Sequence, residues 1–358
     1  MSAELITALP NHYYTDPVVF EAEKEKLFYR TWQYVGHVSK VPNPGDYLTA
    51  KIADQSVFVM RKKNGELGAF FNVCQHRAHE LLQGHGNTSV IVCPYHTWTY
   101  QLSGELIRAP HADKVPGFDK SKICLQTVRL ENFHGFLFVN LNPDAQSMDE
   151  LFPGVRDELA EYLPDLDRIK PVLRMTAEEQ CNWKVSVENY SECYHCAPVH
   201  RTFTTGVIEA NTYDIRPQGY CLRHTTKSRG AKQQYEFDES VPHAHDYSSW
   251  FLWPMFSFQV YPGNELNTYI WEVIDHENVR VHRDWFSTHE EASDTTREVA
   301  QLDRDTTVAE DILLVNSVQR GLKSKGYNPG PLVINPEYGV NSEHTIKSIK
   351  DWVLEAMA

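Results

Sequence analysis

Two short segments of the chain each combine a cysteine with a histidine. Cys74 and His76 form one pair, Cys93 and His96 form the other, and 16 residues separate His76 from Cys93. Four thiolate and imidazole side chains in two pairs are a typical ligand set for a metal site. Structural zinc is one interpretation, but zinc fingers usually place two cysteines together and two histidines together. The mixed pairs favour a [2Fe-2S] cluster, in which two thiolates hold one iron and two imidazoles hold the other.

A second group of metal-binding residue types lies in 182–203, NWKVSVENYSECYHCAPVHRTF. Two histidines and a carboxylate can hold iron(II) and leave positions open for oxygen. Glu192 and His195 share a helical face, because they are three residues apart. His195 and His200 are five apart and would diverge on a regular helix, but Pro198 should break the helix and let them converge. The alternative is a pair of buried structural histidines.

Other cysteines and histidines near these groups carry a weaker signal. Cys193 and Cys196 form a C-x-x-C pair, yet neither a thioredoxin-like context nor a proline after the first cysteine is present. We therefore expect both to serve packing, and we expect the cysteines of this chain to serve metals more than disulfides. His79 and His85 fit neither pair's spacing and are expected at the surface or beside the ligands.

The helices and strands that the sequence predicts around the two metal motifs indicate an α+β protein. We expect an N-terminal helical segment over 1–39, packed on the catalytic domain. Short strands around the turn signal Asn64-Gly65 predict a small all-β domain over 40–145, with the first motif on its loops. Amphipathic helices and paired strands predict a larger α+β domain over 146–358, an antiparallel sheet with helices.

The amino-acid composition and charge of the chain argue against some classes of binding partner. The chain has 358 residues and a formal net charge of −14, which argues against nucleic acid and against an anionic membrane surface. The N-terminus has no basic segment followed by an apolar one, and no run approaches the length of a membrane span. We therefore expect a cytoplasmic protein without a signal peptide.

Together the two motifs resemble the oxygenase (alpha) component of Rieske non-haem iron oxygenases, over essentially the whole chain. The family pattern is C-x-H-R, C-P-x-H, N-W-K, E-N, an acidic residue, Y-H and a further H. The matching residues are Cys74, His76, Arg77, Cys93, Pro94, His96, Asn182, Trp183, Lys184, Glu188, Asn189, Glu192, Tyr194, His195 and His200. A Rieske-type electron carrier or a zinc-stabilised binding protein is a rival interpretation, but neither needs the second motif.

The resemblance implies two cofactors, a [2Fe-2S] cluster on the two Cys-His pairs and a mononuclear Fe(II). The iron would be held by His195, His200 and an aspartate of a late helix. AEDILLVNSVQRGL matches that helix, with Asp311 as the ligand and Glu310 as the alternative.

The resemblance also implies an assembly and an electron source. In the family an acidic residue, here Glu192, bridges an iron-ligand histidine, here His195, and a cluster-ligand histidine of the neighbouring subunit, here His96. It thus implies a homotrimer that receives electrons from NAD(P)H through a flavin or ferredoxin-type reductase and uses O2.

Glutamate at this position, within ENYSECYHC, resembles the subgroup that acts on small quaternary ammonium compounds. The implied reaction is hydroxylation of a C–H bond followed by C–N cleavage, with carnitine giving trimethylamine and malic semialdehyde. Glycine betaine, choline, γ-butyrobetaine and stachydrine are alternative substrates. An aromatic-ring dioxygenase or an O-demethylase is a further alternative.

A trimethylammonium group offers no N–H to a hydrogen bond and is held by aromatic faces. Aromatic residues are dense in 250–271 and near the second motif. The candidates for the cage are Tyr190, Phe203, Trp253, Phe258 and Tyr261. Packing within the sheet is the alternative role for each. Arg201, Arg223 and Lys227 are candidate partners for a substrate carboxylate.

Overall fold

The computed structural model describes residues 5–228, 230, 234–335 and 338–358. It divides into two compact units. One is formed by Phe28–Gln146, and the other joins the N-terminal segment up to Leu27 with Ser147–Ala358. The sequence placed this N-terminal boundary at residue 39. The structure places residues 28–39 in the first unit, because strand Gln33–His37 pairs with Phe136–Asn140 there.

The first unit is all-β. Its strands are β1 Gln33–His37, β2 Asp46–Ile52, β3 Gln55–Arg61, β4 Leu67–Phe71, β5 His85–Asn87, β6 Ile91–Val92, β7 Thr99–Tyr100, β8 Leu106–Arg108, β9 Thr127–Phe133 and β10 Phe136–Asn140. They form an antiparallel sheet in the order β1-β10-β9-β4-β3-β2-β5 and a small sheet β6-β7-β8. The predicted turn joins β3 to β4, and Gly65 takes a φ of +86° there, which glycine adopts without strain.

The second unit is built on one antiparallel sheet. Its strands are β11 Lys170–Glu179, β12 Asp214–Gln218, β13 Cys221–Lys227, β14 Asp246–Leu252, β15 Phe256–Tyr261, β16 Glu265–Asp275 and β17 Asn278–Ser287. The order is β11-β17-β16-β15-β14-β13-β12. Strand β15 is buried along its whole length, as expected for a central strand covered on both faces.

Helices accompany this sheet. They are α1 His12–Thr15, α2 Pro17–Lys26, α3 Met148–Leu151, α4 Val155–Tyr162, α5 Trp183–Ser191, α6 Cys196–Val199, α7 Asp294–Asp303, α8 Ala309–Leu322 and α9 His344–Met357. Single π-helical turns follow at Phe203–Val207 and Arg304–Val308. The α+β prediction is confirmed. Within the described residues, no helix is both long and apolar enough to cross a membrane.

A buried ion pair ties the N-terminal segment to α5. Glu23 of α2 and Lys184 of α5 are fully buried, and their charged groups lie 2.5 Å apart. The other oxygen of Glu23 accepts the indole N–H of Trp183 at 2.8 Å. Both carboxylate oxygens are therefore satisfied without water, and the pair fixes α2 against the start of α5.

We expect Lys184→Met to lower the free energy of unfolding by about 3–5 kcal/mol, because Glu23 would remain buried without its cation. Denaturant unfolding followed by circular dichroism measures this loss. The double variant Glu23→Gln/Lys184→Met should recover much of it, and the exposed Lys325→Met should behave like the wild type. A loss below about 1 kcal/mol for Lys184→Met would show that the pair contributes no more than a surface ion pair.

Candidate metal centres

The two Cys-His loops of the first unit have the same backbone design. In each, the cysteine amide donates to the carbonyl oxygen five residues later, at 2.9 Å for Cys74 and 2.8 Å for Cys93. In each, the residue four positions after the cysteine, Ala78 or Thr97, has a φ near +55° (55° and 56°). That residue donates back to the cysteine carbonyl, at 3.1 and 3.0 Å. The two turns therefore match, although one motif is C-x-H and the other is C-x-x-H.

In these two loops the cysteine thiols are buried, whereas the histidine imidazoles lie nearer the surface. Cys74 and Cys93 are buried at 2% and 1% exposure within an apolar cluster. His76 is exposed and His96 half-buried, with their ring centroids 4.8 Å apart. Nδ1 of His96 is buried and has no hydrogen-bond partner among the described residues. Two inner thiols and two outer imidazoles fit the ligand set of a [2Fe-2S] cluster with mixed ligands.

Aromatic side chains surround these ligands. The indole of Trp98 stacks on His76 at 4.6 Å, and the ring of Tyr95 lies 3.8 Å from that of His96. The hydroxyl of Tyr100 lies 3.3 Å from Sγ of Cys74. Burial raises the pKa of the Cys93 thiol. Deprotonating this thiol therefore needs a bound cation nearby.

The second unit brings His195, His200 and Asp311 together. Nε2 of His195 lies 3.1 Å from Nε2 of His200, and Oδ1 of Asp311 lies 3.1 Å from the latter and 3.5 Å from the former. One ligand atom from each residue lies within 4.8 Å of the other two. The short helix α6 ends at Val199, and this lets His200 turn back toward His195.

Each imidazole is held from behind by another carboxylate. Nδ1 of His195 donates to Oε1 of Glu192 at 2.5 Å. Nδ1 of His200 donates to Oε2 of Glu310 at 2.7 Å. Outer-nitrogen contacts of this kind orient metal-binding histidines and fix their tautomer. Glu310 therefore lies behind a histidine, whereas Asp311 faces both.

The arrangement of His195, His200 and Asp311 favours the binding of a cation. With Nδ1 protonated, each neutral imidazole has a lone pair at Nε2, and both lone pairs face the Asp311 carboxylate. Burial lowers the pKa of His195, but contacts with Asp311 and Glu192 outweigh it and raise this pKa to about 10. A proton or a metal ion can offset the repulsion among the three acceptors. Two imidazoles and one carboxylate are the donor set of an iron(II) facial triad.

Helix α8 is held in register with α5 by side-chain amides. Oδ1 of Asn316 accepts the backbone N–H of Gln180 at 2.6 Å. Oε1 of Gln319 accepts the backbone N–H of Asn182 at 3.0 Å. These contacts fix the two helices, and Asp311 is thereby carried to the histidines.

A cavity beside His195, His200 and Asp311 is lined by some of the aromatic side chains predicted from the sequence. Tyr190, Phe203 and Tyr261 line it. Trp253 instead packs between Trp183 and Trp352, with centroids 5.7 and 5.5 Å away. Phe258 is fully buried in β15 and does not line the cavity.

Three further tyrosines also line the cavity, and none of them was among the candidates from the sequence. They are Tyr213, Tyr247 and Tyr269. Tyr247 and Tyr269 belong to strands β14 and β16. The face of the sheet on which such a residue lies depends on strand register. The density of aromatic residues in this region was the available signal, and it did not distinguish the two faces.

The cationic residues predicted near a substrate carboxylate lie elsewhere. Arg201 is exposed, Arg223 pairs with Glu158 at 2.5 Å, and Lys227 pairs with Asp246 at 2.7 Å. None of the three lines the cavity.

The arginine that does line the cavity is Arg283, which is 4% exposed. Its guanidinium lies 3.1 Å from Asp303 and donates to Gln259 and Asn267. The hydroxyl of Tyr261 donates to Asp303 at 2.8 Å. This buried pair therefore presents little net charge to the cavity.

Cys193 and Cys196 form a disulfide, with Cα atoms 4.9 Å apart. The expectation that both cysteines serve only packing was therefore wrong. The turn that carries His195 brings them together, since the amide of Cys196 donates to the carbonyl of Cys193 at 3.0 Å. Both line the cavity, and the disulfide closes a small loop around His195.

Comparison with known proteins finds similarity along both units. Residues 31–119 match the Rieske [2Fe-2S] domain, and residues 166–358 match the ring hydroxylating alpha subunit (catalytic domain). The carnitine monooxygenase oxygenase subunit of Acinetobacter baumannii is 36% identical over 340 residues, which cover 94% of this chain and 91% of that protein. The glycine betaine monooxygenase oxygenase subunit of Chromohalobacter salexigens is 38% identical over 208 residues, 58% of this chain and 46% of that protein.

Solved structures give the same result. The quaternary ammonium Rieske monooxygenase CntA in complex with L-carnitine superposes with a TM-score of 0.87 at 32% identity, covering 100% of this chain and 97% of that chain. Naphthalene 1,2-dioxygenase from Rhodococcus sp. superposes with a TM-score of 0.81 at 20% identity, covering 98% and 94%. The latter similarity shows a shared fold.

We expect Asp311→Asn and Glu310→Gln to weaken iron binding to different degrees. Loss of a carboxylate that faces both histidines should abolish high-affinity binding, whereas loss of an outer carboxylate should cost about 10–100-fold in affinity. Competition with a chelator measures both. The exposed Glu298→Gln is the control. A larger loss for Glu310→Gln than for Asp311→Asn would reverse the two roles.

Proposed function

This chain belongs to the family of ring-hydroxylating oxygenase alpha subunits with a Rieske [2Fe-2S] domain, and from that premise we propose that its substrate is a quaternary ammonium compound. It is a Rieske-type non-haem iron monooxygenase. The preferred substrate is carnitine, which would give trimethylamine and malic semialdehyde. Glycine betaine, choline, γ-butyrobetaine and stachydrine are the alternatives.

The observation that carries this proposal is a tyrosine-lined cavity that opens on the His195, His200 and Asp311 side chains. The rings of Tyr190 and Tyr269 lie 4.8 Å apart, and those of Tyr247 and Tyr261 lie 5.2 Å apart. Aromatic faces attract a cation that has no N–H to donate. The similarity to carnitine and glycine betaine monooxygenase subunits supports the same substrate class.

The protein's own residues orient the iron and leave room for the reaction. His195, His200 and Asp311 would hold iron(II) from one side. Glu192 and Glu310 keep the proton at each Nδ1, so that both Nε2 lone pairs stay available. When bound, the iron supplies the reduction of O2 by which one oxygen atom enters a substrate C–H bond.

The C–N cleavage follows from the position of the hydroxyl group. A hydroxyl on the carbon that bears the quaternary nitrogen loses its proton, the C–N bond breaks, and its electron pair leaves with trimethylamine. The remaining carbon becomes an aldehyde. The cavity must therefore place the C–N carbon of the substrate toward the iron ligands.

Electron delivery completes the proposal. We place Cys74, His76, Cys93 and His96 around the [2Fe-2S] cluster. Glu192 would connect His195 to His96 of the partner subunit within a homotrimer. A flavin or ferredoxin-type reductase using NAD(P)H would supply the electrons in the cytoplasm.

Oxygen uptake with a suitable reductase tests the substrate. We expect carnitine to stimulate uptake and to yield trimethylamine, with γ-butyrobetaine, glycine betaine, choline and stachydrine assayed in parallel. Stimulation by a different member of this set would reassign the substrate within the class. If none stimulates uptake, the substrate class is wrong while the family assignment stands.

We expect Glu192→Ala to abolish product formation even with both metals bound at excess iron, because the variant removes the proposed link between the centres. Iron content and the visible spectrum report the metals, and single-turnover product yield reports the transfer. The exposed Glu291→Ala is the control. Full activity of Glu192→Ala would refute the link.

A further inference from the structure

A second cavity, with a volume of about 320 Å³, lies next to the proposed substrate cavity. Asn189, Glu192 and His195 line both cavities, so these three residues form a shared wall. Most other lining residues are apolar, among them Ala8, Val185, Leu314, Val315, Leu322 and Ile346. Glu188 and Glu343 also line this cavity.

Glu188 is bonded in an unusual way for a carboxylate in apolar surroundings. The phenol of Tyr14 donates to both of its oxygens, at 2.8 and 3.0 Å. Lys184 lies one helical turn earlier, but its ammonium is held by Glu23 at 2.5 Å. Glu188 makes no ion pair with any residue in the described part of the chain. One neutral donor thus holds a carboxyl group that forms no direct ion pair among the described residues.

The groups that face Glu188 act in opposite directions. Burial and the charge of Glu343 raise its pKa, the Tyr14 hydrogen bond and the Lys184 charge lower it, and the net result is a pKa of about 7. Tyr327 contributes a phenol to the same cavity. Burial also raises the pKa of Glu343, and the charge of Glu192 adds to that rise. Near neutral pH, both the protonated and the ionised forms of Glu188 are therefore populated.

We propose that Glu188 stores a proton beside the shared wall and delivers it to the substrate side during turnover. Monooxygenation joins substrate, O2, two electrons and two protons to give the hydroxylated product and one water. The carboxyl O–H of Glu188 would break, its proton would form one O–H bond of that water, and the second proton would come from solvent. Solvent would then reprotonate the carboxylate through the second cavity.

This inference rests on the proposed oxygenase function and adds a residue to it. Glu188 touches none of the three proposed iron ligands in any described contact, so it acts through the wall and is not itself a catalytic residue. Lys184, Glu188 and Glu192 follow one another at four-residue intervals along α5 and its end, which places them along one side of the helix. Glu188 therefore lies between the buried Glu23–Lys184 ion pair and the wall that the two cavities share.

Three variants separate proton storage from a structural role. Glu188→Gln keeps the size of the side chain and can accept the Tyr14 hydrogen bond, but it cannot release a proton. Glu188→Asp restores a carboxyl group. Tyr14→Phe removes the donor that stabilises the carboxylate, so the pKa of Glu188 should rise. Glu291→Gln, exposed on the surface, is the matched control.

The first measurement uses the metal-loaded, oxidised protein without substrate. Infrared difference spectra should show a carboxylic acid C=O band that disappears as the pH rises through about 7. Burial also raises the pKa values of Glu179 and Glu265 to about 7, so Glu188→Gln should lose only the Glu188 component of this band, and Tyr14→Phe should move the midpoint of that component to higher pH. A wild-type minus Glu188→Gln difference without a carboxylic acid band, or a midpoint of that component unmoved by Tyr14→Phe, overturns the proposal whatever the substrate.

The second measurement uses the loaded, reduced trimer in a single turnover. The wild-type rate should fall as the pH rises through about 7, because deprotonated Glu188 has no proton to give. Glu188→Gln should be slower by about 100-fold below that pH and lose this pH dependence, with partial rescue by Glu188→Asp. A wild-type rate in Glu188→Gln overturns the proposal. Absence of turnover with every quaternary ammonium compound would instead overturn the proposed function, and the infrared result would still decide whether Glu188 holds the proton.

Discussion

Two imidazole nitrogens and a carboxylate oxygen face one another inside the second unit, and a cation among them offsets the repulsion between these three acceptors. The outer nitrogens of His195 and His200 are committed to Glu192 and Glu310, so neither ring can turn its protonated nitrogen inward without losing a charge-assisted hydrogen bond. Asp311 adds a third acceptor. The surrounding contacts can be understood as the means of keeping these groups in place.

The N-terminal segment is part of that support, although it is distant in sequence. Glu23 satisfies both Lys184 and Trp183 at the start of α5, and Tyr14 reaches Glu188 one turn further on. The amides of Asn316 and Gln319 hold α8 against the same helix start. Helix α5 is therefore fixed from two directions before it ends at Glu192, where the proposed electron link begins.

The two cavities divide the surroundings of Glu192 and His195 into different chemical environments. One side has tyrosine faces and a buried Arg283–Asp303 pair with little net charge, which suits a cationic substrate. The other side has mostly apolar residues and the carboxyl groups of Glu188 and Glu343. A monooxygenase must supply substrate, electrons and protons to one centre, and separate approaches let each arrive without occupying the position of another.

The sequence by itself determined the kinds of chemistry that this chain can perform. Ligand types and their local spacing are properties of a few neighbouring residues, so both metal motifs, the α+β class and the family could be predicted from it. The predicted break at Pro198, with Glu192 and His195 on one helix, was wrong in detail. Helix α5 already ends at Ser191, Pro198 lies inside α6, and the chain leaves the helix at His200. Only the tertiary structure decided which of Glu310 and Asp311 faces the histidines, because that depends on the rotation of α8 against α5. Likewise, strand register decided that Tyr247 and Tyr269 line the cavity while Phe258 does not. The Cys193–Cys196 bond and the contacts of Glu23 and Tyr14 with α5 depend on how the chain turns and packs, and no short segment encodes them.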